Sequence, residues 1–235
     1  MTPHKTASRA DWLTARKALL AREKEHTRLK DDIAKARQAL PWVKVEDSYI
    51  FETSTGQKSL SDLFGGRSQL ITYHFMFGPD WENPCKSCSF WADSYAGLTP
   101  HLVAQDIAFV AVSSAPIVRL LPFKERMGWD FEWVSSHGTA FNVDYDVGFG
   151  PDRPDDRHNS YNFGTMQNPH LDEMHGTSVF AKDDGGAVYH TYSMYGRGLD
   201  ATNAAYAYMD LTPNGRRSEP PEGNPMAWLE YRDSY

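Results

Sequence analysis

The sequence predicts a mixed α/β fold, in which a β-α-β unit and a β-β-α unit share one mixed sheet flanked by helices. Three observations lead to this prediction. An apolar run at 70–77 precedes a helical pattern, a second apolar run fills 107–112, and a strand–turn–strand pattern at 177–192 precedes a last helical pattern. Continuous apolar runs are typical of parallel strands covered on both faces. The order of these elements is that of two such units around one sheet.

A long helical extension precedes this core, and we place its boundaries at residues 1–40. Ser8 is expected to cap the helix with Asp11 reaching back to it, and Pro41 ends it. The residues of one stripe recur at intervals of three, four or seven: Trp12, Ala15, Leu19, His26, Leu29, Ile33, Ala36 and Leu40. Such spacing predicts an amphipathic helix of roughly thirty residues. It could pack on its own domain or serve as the arm of a homodimer.

Shorter elements connect the extension to the main domain, which we place at 41–213. Short strands are expected at 43–45 and 49–51, a helical turn at 59–64, helices at 86–98 and 116–127, and a strand at 131–134. Pro122 lies inside the second of these helices and is expected to kink or split it, because proline removes a backbone hydrogen bond.

The second half of the chain contains an unusual segment at 148–170, rich in Gly, Pro, Asp, Arg and Asn with interspersed aromatic residues. A loop this long inside a compact domain is usually functional or disordered, and its aromatic residues favour an ordered excursion. A hairpin is then expected around Gly185-Gly186. A helix at 200–209 and a tail at 214–235 complete the chain.

Composition limits the classes of function. The chain has 235 residues, 40% of them hydrophobic, and a formal net charge of −7, which argues against a nucleic-acid partner because phosphate binding requires a basic surface. No stretch of 18 apolar residues suggests a membrane span. The beginning of the chain has no apolar leader pattern, so a cytoplasmic protein is expected. No cofactor is predicted.

The motif that carries chemistry is Cys85-Lys86-Ser87-Cys88, which contains the two cysteines of the chain and follows the first apolar run. A CxxC at the start of a helix after a buried strand is typical of a thioredoxin-type redox site. The helix start favours a thiolate on Cys85, and Lys86 could stabilise it further. Cys88, one turn inside, is expected to be the resolving thiol. The partner would be a disulfide or thiol of a protein or a small molecule.

Two other functions remain open. A copper or zinc site, or a metallochaperone role, would use Cys85, Cys88 and a histidine, with His175 preferred because it lies just before the hairpin. A non-catalytic interaction module would use the N-terminal helix. A peroxidase is less favoured, because Glu82 stands where a Thr or Ser should precede the reactive cysteine, although Thr72 and Arg119 could substitute in space.

The chain resembles the bacterial DUF899 family, an uncharacterised branch of the thioredoxin-like superfamily. The segments that carry the resemblance run nearly end to end: WLTARKALL at 12–20, LPWV at 40–43, QLITYHFMFGPDW at 69–81, HGTSVF at 175–180 and DLTP at 210–213. The resemblance implies a thioredoxin-like fold with an N-terminal helical extension. It also implies that Cys85 and Cys88 occupy the position of the family's CxxC. It does not imply a substrate.

The chain departs from thioredoxin itself at the edge that would face the CxxC. Thioredoxins have a cis-proline there, whereas this chain has Gly176, which permits a close backbone approach. The Trp-Cys-Gly-Pro-Cys motif is also absent, and Trp81 stands four residues before the pair. Substrate-facing roles are therefore predicted for His175, Gly176 and Thr177, with Trp81 and Lys86 in support.

Overall fold

A computed structural model describes residues 4–149, 161–164, 171–216 and 226–235. The chain divides into two compact units, Met1–Pro41 and Trp42–Tyr235. The first contains α1 (Arg9–Gln38), a helix of 30 residues. Ser8 caps it as predicted, because its hydroxyl accepts from the Asp11 amide (3.1 Å) and donates to the Asp11 carboxylate (2.7 Å). The predicted homodimer through this helix remains a prediction.

The second unit is built on one eight-stranded sheet of order β1-β8-β7-β4-β5-β6-β2-β3. Its strands are β1 (Val43–Lys44), β2 (Ile50–Thr53), β3 (Gly56–Ser59), β4 (Gln69–His74), β5 (Ile107–Ser113), β6 (Glu132–Ser135), β7 (Gly176–Lys182) and β8 (Val188–Tyr195).

The centre of the sheet has the thioredoxin-like arrangement that the sequence predicted. Strand β4 pairs in parallel with β5, and β7 pairs antiparallel with β4. The hairpin partner β8 pairs antiparallel with β7. The fold class is therefore confirmed, and β4 occupies the middle position from which the CxxC segment emerges.

The described residues form seven α-helices. They are α1, α2 (Lys86–Ala92), α3 (Thr99–Val103), α4 (Ile117–Met127), α5 (Phe141–Asp144), α6 (Tyr161–Gly164) and α7 (Ala204–Met209), with 3₁₀ turns at Asp62–Phe64, Asp93–Tyr95 and Gly196–Thr202. Of these helices, α1 and α4 have nearly the lengths that the sequence predicted. None of the helices in the described ranges combines the length with the apolar composition of a membrane-spanning segment.

Several element boundaries correct the sequence-based expectations. Helix α4 continues through Pro122. The carbonyl that loses its partner there belongs to Val118, whose side chain is 72% exposed, so water can satisfy it. The helix expected at 86–98 instead ends at Ala92 and continues as a 3₁₀ turn to Tyr95. Ala96 then adopts an extended ψ of 127° and Gly97 a left-handed φ of 76°, so the chain leaves the helical path before α3.

Two further segments differ from the prediction. The residues around Gly56 form a third strand, β3, that pairs with β2 in a hairpin, and the sequence analysis predicted no strand there. The helix expected at 200–209 begins as a 3₁₀ turn and becomes α-helical at Ala204, with Asn203 as its cap. Most of the predicted excursion at 148–170 lies outside the described residues.

Side chains pack on both faces of the sheet. On one face, Tyr73 and Phe75 join a large aromatic cluster with Cys88 and Trp91 of α2. On the other, Leu70 packs with residues that include Phe141 and Phe180. The alternation along β4 thus separates the two faces. The cysteine pair belongs to the more aromatic of the two cores.

Candidate functional site

Cys85 lies at the beginning of α2, beyond the carboxyl end of the central strand β4. Its amide donates to the carbonyl of Met76 (3.1 Å), which ties the loop back to the end of the strand. Its Sγ accepts from the amide of Cys88 at 3.4 Å, so the sulfur itself is the N-cap of the helix. The first turn of α2 therefore presents an N–H group to this sulfur, as a thiolate requires.

Cys88 lies one turn inside the helix and is 2% exposed. Its Sγ accepts a hydrogen bond from the amide of Met76 (3.4 Å), and its carbonyl accepts one from the hydroxyl of Tyr73 (3.5 Å). Both cysteines are free thiols, and Cys85 is the more accessible of the two. The two residues are 3.5 Å apart.

The environment separates the acidities of the two thiols. The hydrogen bond from the Cys88 thiol, helped by backbone amides of the first turn, lowers the pKa of Cys85 to about 7 against the opposing effect of burial. Burial raises the pKa of Cys88 well above its ordinary value, and its hydrogen bond to Cys85 adds to this. At pH 7 the outer sulfur is therefore about half thiolate, and it is mostly thiolate at higher pH, whereas the inner sulfur stays a thiol.

The two supporting residues predicted near the motif have different environments. Lys86 is exposed and forms an ion pair with Glu230, so the carboxylate offsets part of the positive charge of Lys86. Trp81 is half-buried against the aromatic core. A Cβ on Gly78 would lie 2.8 Å from its ring, so the glycine allows the indole to fold back over the loop. Their roles in chemistry remain predictions.

The C-terminal residues 226–235 contact the CxxC loop, which the sequence analysis did not predict. Tyr231 is buried, and its hydroxyl donates a 2.6 Å hydrogen bond to the carbonyl of Pro84, next to the first cysteine. Arg126 of α4 donates to both carboxylate oxygens of Asp233 (2.7 and 3.0 Å). Since Tyr231 and Pro84 are 147 positions apart, no local pattern could have indicated this contact.

The predicted substrate-facing residues lie at the start of β7. His175 approaches the carbonyl of Gly196 through Nε2 (3.3 Å), and its ring centroid is 6.0 Å from that of Trp91 in α2. Burial lowers its pKa. A Cβ on Gly176 would lie 2.8 Å from the ring of Tyr195, so this glycine is required by packing against the next strand.

Thr177 is buried within the sheet, where it pairs with Tyr73 of β4 and Met194 of β8. The structure thus connects the start of β7 to α2 through Trp91 and Tyr73. Among the contacts of the described residues, none joins His175 directly to either sulfur. Substrate-facing roles for this edge remain a prediction.

Glu173 is a buried carboxyl that sequence reasoning missed. Its side chain accepts from the hydroxyl of Ser114 (2.5 Å) and from the amide of Asn142 (3.2 Å). Burial raises its pKa to about 7, although both hydrogen bonds act in the opposite direction. The sequence holds no periodic signal around Glu173, so nothing distinguished it from an exposed glutamate.

The metal alternative gains no support from the geometry. Within the described ranges, no group of three or more His, Cys, Asp or Glu side chains could hold a metal ion. Cys85 and Cys88 supply two of the four ligands of a tetrahedral site. His175 is directed instead toward the carbonyl of Gly196.

Comparison with known proteins identifies one family. A family model described as a bacterial protein of unknown function, DUF899, matches residues 1–235. No curated protein matches the chain.

Among solved structures, the chain is similar to peroxidoxin BcpB from Mycobacterium tuberculosis, with 15% identity over 70% of this chain and 93% of that chain and a TM-score of 0.47. It is also similar to a protein of Chlorobium tepidum described as a thiol:disulfide interchange protein, DsbE. The identity there is 16%, over 71% of this chain and 98% of that chain, with a TM-score of 0.39. Similarities of this size carry no argument about activity.

Proposed function

We propose that this chain, which belongs to the DUF899 family, is a thiol–disulfide oxidoreductase with Cys85 as nucleophile and Cys88 as resolving thiol. The observation that supports the proposal is the division of the pair into a partly exposed cysteine whose sulfur caps a helix and a buried cysteine one turn inside. A structural thiol pair requires no such difference in acidity or exposure.

The reaction follows from this division. The Cys85 thiolate attacks one sulfur of a substrate disulfide, a mixed disulfide forms, and the other substrate sulfur leaves as a thiolate. Cys88 then loses its proton to the leaving sulfur and attacks Cys85. The second substrate thiol departs, and the Cys85–Cys88 disulfide holds the oxidising equivalents. Two electrons pass to the substrate, and an external dithiol must restore the reduced pair.

The high pKa of Cys88 is compatible with this order of steps. While Cys85 holds the negative charge, a second thiolate beside it would be disfavoured by burial and by repulsion. Once Cys85 enters the mixed disulfide, its negative charge is gone, and Cys88 can ionise more readily. The buried Cys88 thiol therefore becomes a nucleophile only after Cys85 has formed the mixed disulfide.

Single-turnover kinetics with stoichiometrically reduced protein test the proposal. Mixing with bis(2-hydroxyethyl) disulfide should oxidise the pair, and mass spectrometry should show that the protein has lost the mass of two hydrogen atoms. Cys88→Ser should accumulate the mixed disulfide on Cys85, whereas Cys85→Ser should not react at a comparable rate. The proposal is wrong if Cys85→Ser reacts as fast as the natural chain, or if the oxidised protein never contains a Cys85–Cys88 bond.

We also propose that α1 associates with a second copy of the chain, because apolar side chains of its stripe remain exposed in a helix without a buried residue. Leu19 and Leu29 are 48% and 57% exposed. Replacing both by Gln should lower the mass measured by analytical ultracentrifugation from a dimer to a monomer. A natural chain that is monomeric at high micromolar concentration would contradict this proposal.

A further inference from the structure

A cleft of about 300 Å³ lies beside the CxxC loop. Its walls come from the loop on one side and from α4 on the other. The lining residues are Phe77, Glu82, Asn83, Pro84, Arg119, Pro122, Phe123 and Arg126. Pro84 directly precedes Cys85 in the chain, so the cleft is lined by the loop that leads into the residue proposed as nucleophile.

The floor of the cleft is one face of α4. Arg119, Pro122, Phe123 and Arg126 are spaced by three, one and three residues, which places them on the same side of the helix. The two arginines are seven residues apart, and their backbones are therefore about 10 Å apart along the axis. The cleft thus has an apolar middle with a cationic side chain at each end.

Arg119 is held in place by the backbone of the loop. Its guanidinium donates to the carbonyls of Pro79 (2.6 Å), Glu82 (3.2 Å) and Trp81. It also lies over the ring of Phe77, 4.7 Å from the centroid. Among the described residues no carboxylate pairs with it, so its position is fixed but its charge is not neutralised by an acidic side chain.

At the other end of the cleft, the charge of the arginine is offset by a carboxylate. Arg126 pairs with the carboxylate of Asp233, which offsets its charge. The one acidic side chain among the described lining residues is Glu82, which is exposed. An anion entering the cleft would therefore be attracted at Arg119 and weakly repelled at Glu82.

We propose that this cleft binds the non-reacting part of a small disulfide that carries a carboxylate group. The carboxylate would lie at Arg119, the carbon chain against Phe123 and Pro122, and the sulfur next to Cys85. An immobilised guanidinium suits this role, because a charge-assisted hydrogen bond to it needs no reorganisation of the side chain. The inference rests on the proposed thiol–disulfide function and specifies its substrate class.

The chemistry at the cleft balances as in the proposed cycle. The Cys85 thiolate displaces one carboxylate-bearing thiolate from the disulfide and forms a mixed disulfide with the other half. Attack by Cys88 releases that half. The products are two anionic thiols and one oxidised protein pair, so two electrons move from the protein to the substrate.

A pair of probes matched in size tests the inference, namely 3,3′-dithiodipropionate, which is a dianion, and its diamide 3,3′-dithiodipropionamide, which is neutral. The rate constant for oxidation of the reduced protein is measured with each probe. The readout is the rate constant for the dianion divided by the rate constant for the neutral disulfide. We expect the ratio to exceed that for free dithiothreitol by about tenfold, a size typical of a charge-assisted contact. It should decrease with added salt.

Three variants refine the test. Arg119→Gln should lower the ratio about tenfold. If the substitution disturbs the loop and changes the reactivity of Cys85, both rate constants change alike, and this effect cancels in the ratio. Glu82→Gln should raise it about threefold, because an exposed repulsive charge is removed. Glu125→Gln, an exposed carboxylate of α4 outside the cleft lining, is the control and should leave the ratio unchanged.

The outcomes distinguish this inference from the function on which it rests. If the neutral disulfide oxidises the protein but the ratio equals that of free dithiothreitol, or if Arg119→Gln and Glu82→Gln leave it unchanged, the substrate class is wrong and the redox function stands. If neither disulfide oxidises the Cys85–Cys88 pair, both proposals are wrong.

Discussion

Replacing Glu173 with Gln should change how the stability of this protein depends on pH. Glu173 is 6% exposed and receives hydrogen bonds from Ser114 and Asn142. Gln has the same shape and resembles the protonated acid, since its amide can donate to the Ser114 hydroxyl while its carbonyl accepts from Asn142. The variant thus removes ionisation while preserving packing.

The sign and size of the effect follow from the pKa of the carboxyl, which burial raises from 4.5 to about 7. Between these values the folded chain binds more protons at this group than the unfolded chain, so stability falls as pH rises through this range and levels off above it. Each pKa unit corresponds to about 1.36 kcal/mol. Between pH 5 and pH 8.5, the natural chain should lose about 2 to 3 kcal/mol relative to Glu173→Gln.

Urea unfolding of both proteins at half-unit pH intervals, with a reductant present, measures this difference. Subtracting the two free energies of unfolding cancels the other titrating groups, including the thiols. The matched control is Glu125→Gln, an exposed carboxylate, for which the difference should stay within about 0.5 kcal/mol at every pH. A flat difference for Glu173→Gln, or one that favours the natural chain at high pH, would refute the reasoning.

Three further predictions concern the site and its frame. The rate of disulfide attack should fall about tenfold per pH unit below the Cys85 pKa of about 7 and level off above it; a pH-independent rate between 5.5 and 8 would contradict this. Tyr231→Phe should raise the Cys85 pKa in a thiolate absorbance titration, because the loop loses its anchor, whereas Tyr208→Phe, which alters a 73% exposed side chain, should not. Gly176→Ala should lower the free energy of unfolding by about 1 to 3 kcal/mol in urea titrations, since its Cβ would lie 2.8 Å from the Tyr195 ring; an unchanged midpoint would show that the ring moves freely.

Local sequence patterns were sufficient for most of the frame. The apolar runs identified β4 and β5, Gly185-Gly186 marked the hairpin of β7 and β8, and Ser8 marked the beginning of α1. These signals depend on periodicity and on backbone preferences of a few neighbouring residues, which the sequence displays directly. The place of Cys85 at a strand–helix junction was accessible for the same reason.

Other local features were misjudged where tertiary context outweighed propensity. Pro122 does not split α4, because the carbonyl it leaves unpaired can be satisfied at an exposed position. The strand β3 is only four residues long and carries no apolar alternation; pairing with β2 makes it a strand. Such short elements depend on partners and not on their own pattern.

The sequence by itself determined the order of the elements, the fold class and the position of the cysteine pair at the start of a helix. Only the tertiary structure decided in which direction each thiol's pKa is shifted, which carboxyl is buried, and which residues surround the pair. The contact of Tyr231 with Pro84 and the burial of Glu173 join segments far apart in the chain. The physical reason is that acidity and access depend on desolvation and hydrogen bonding by such distant segments, which no local pattern records.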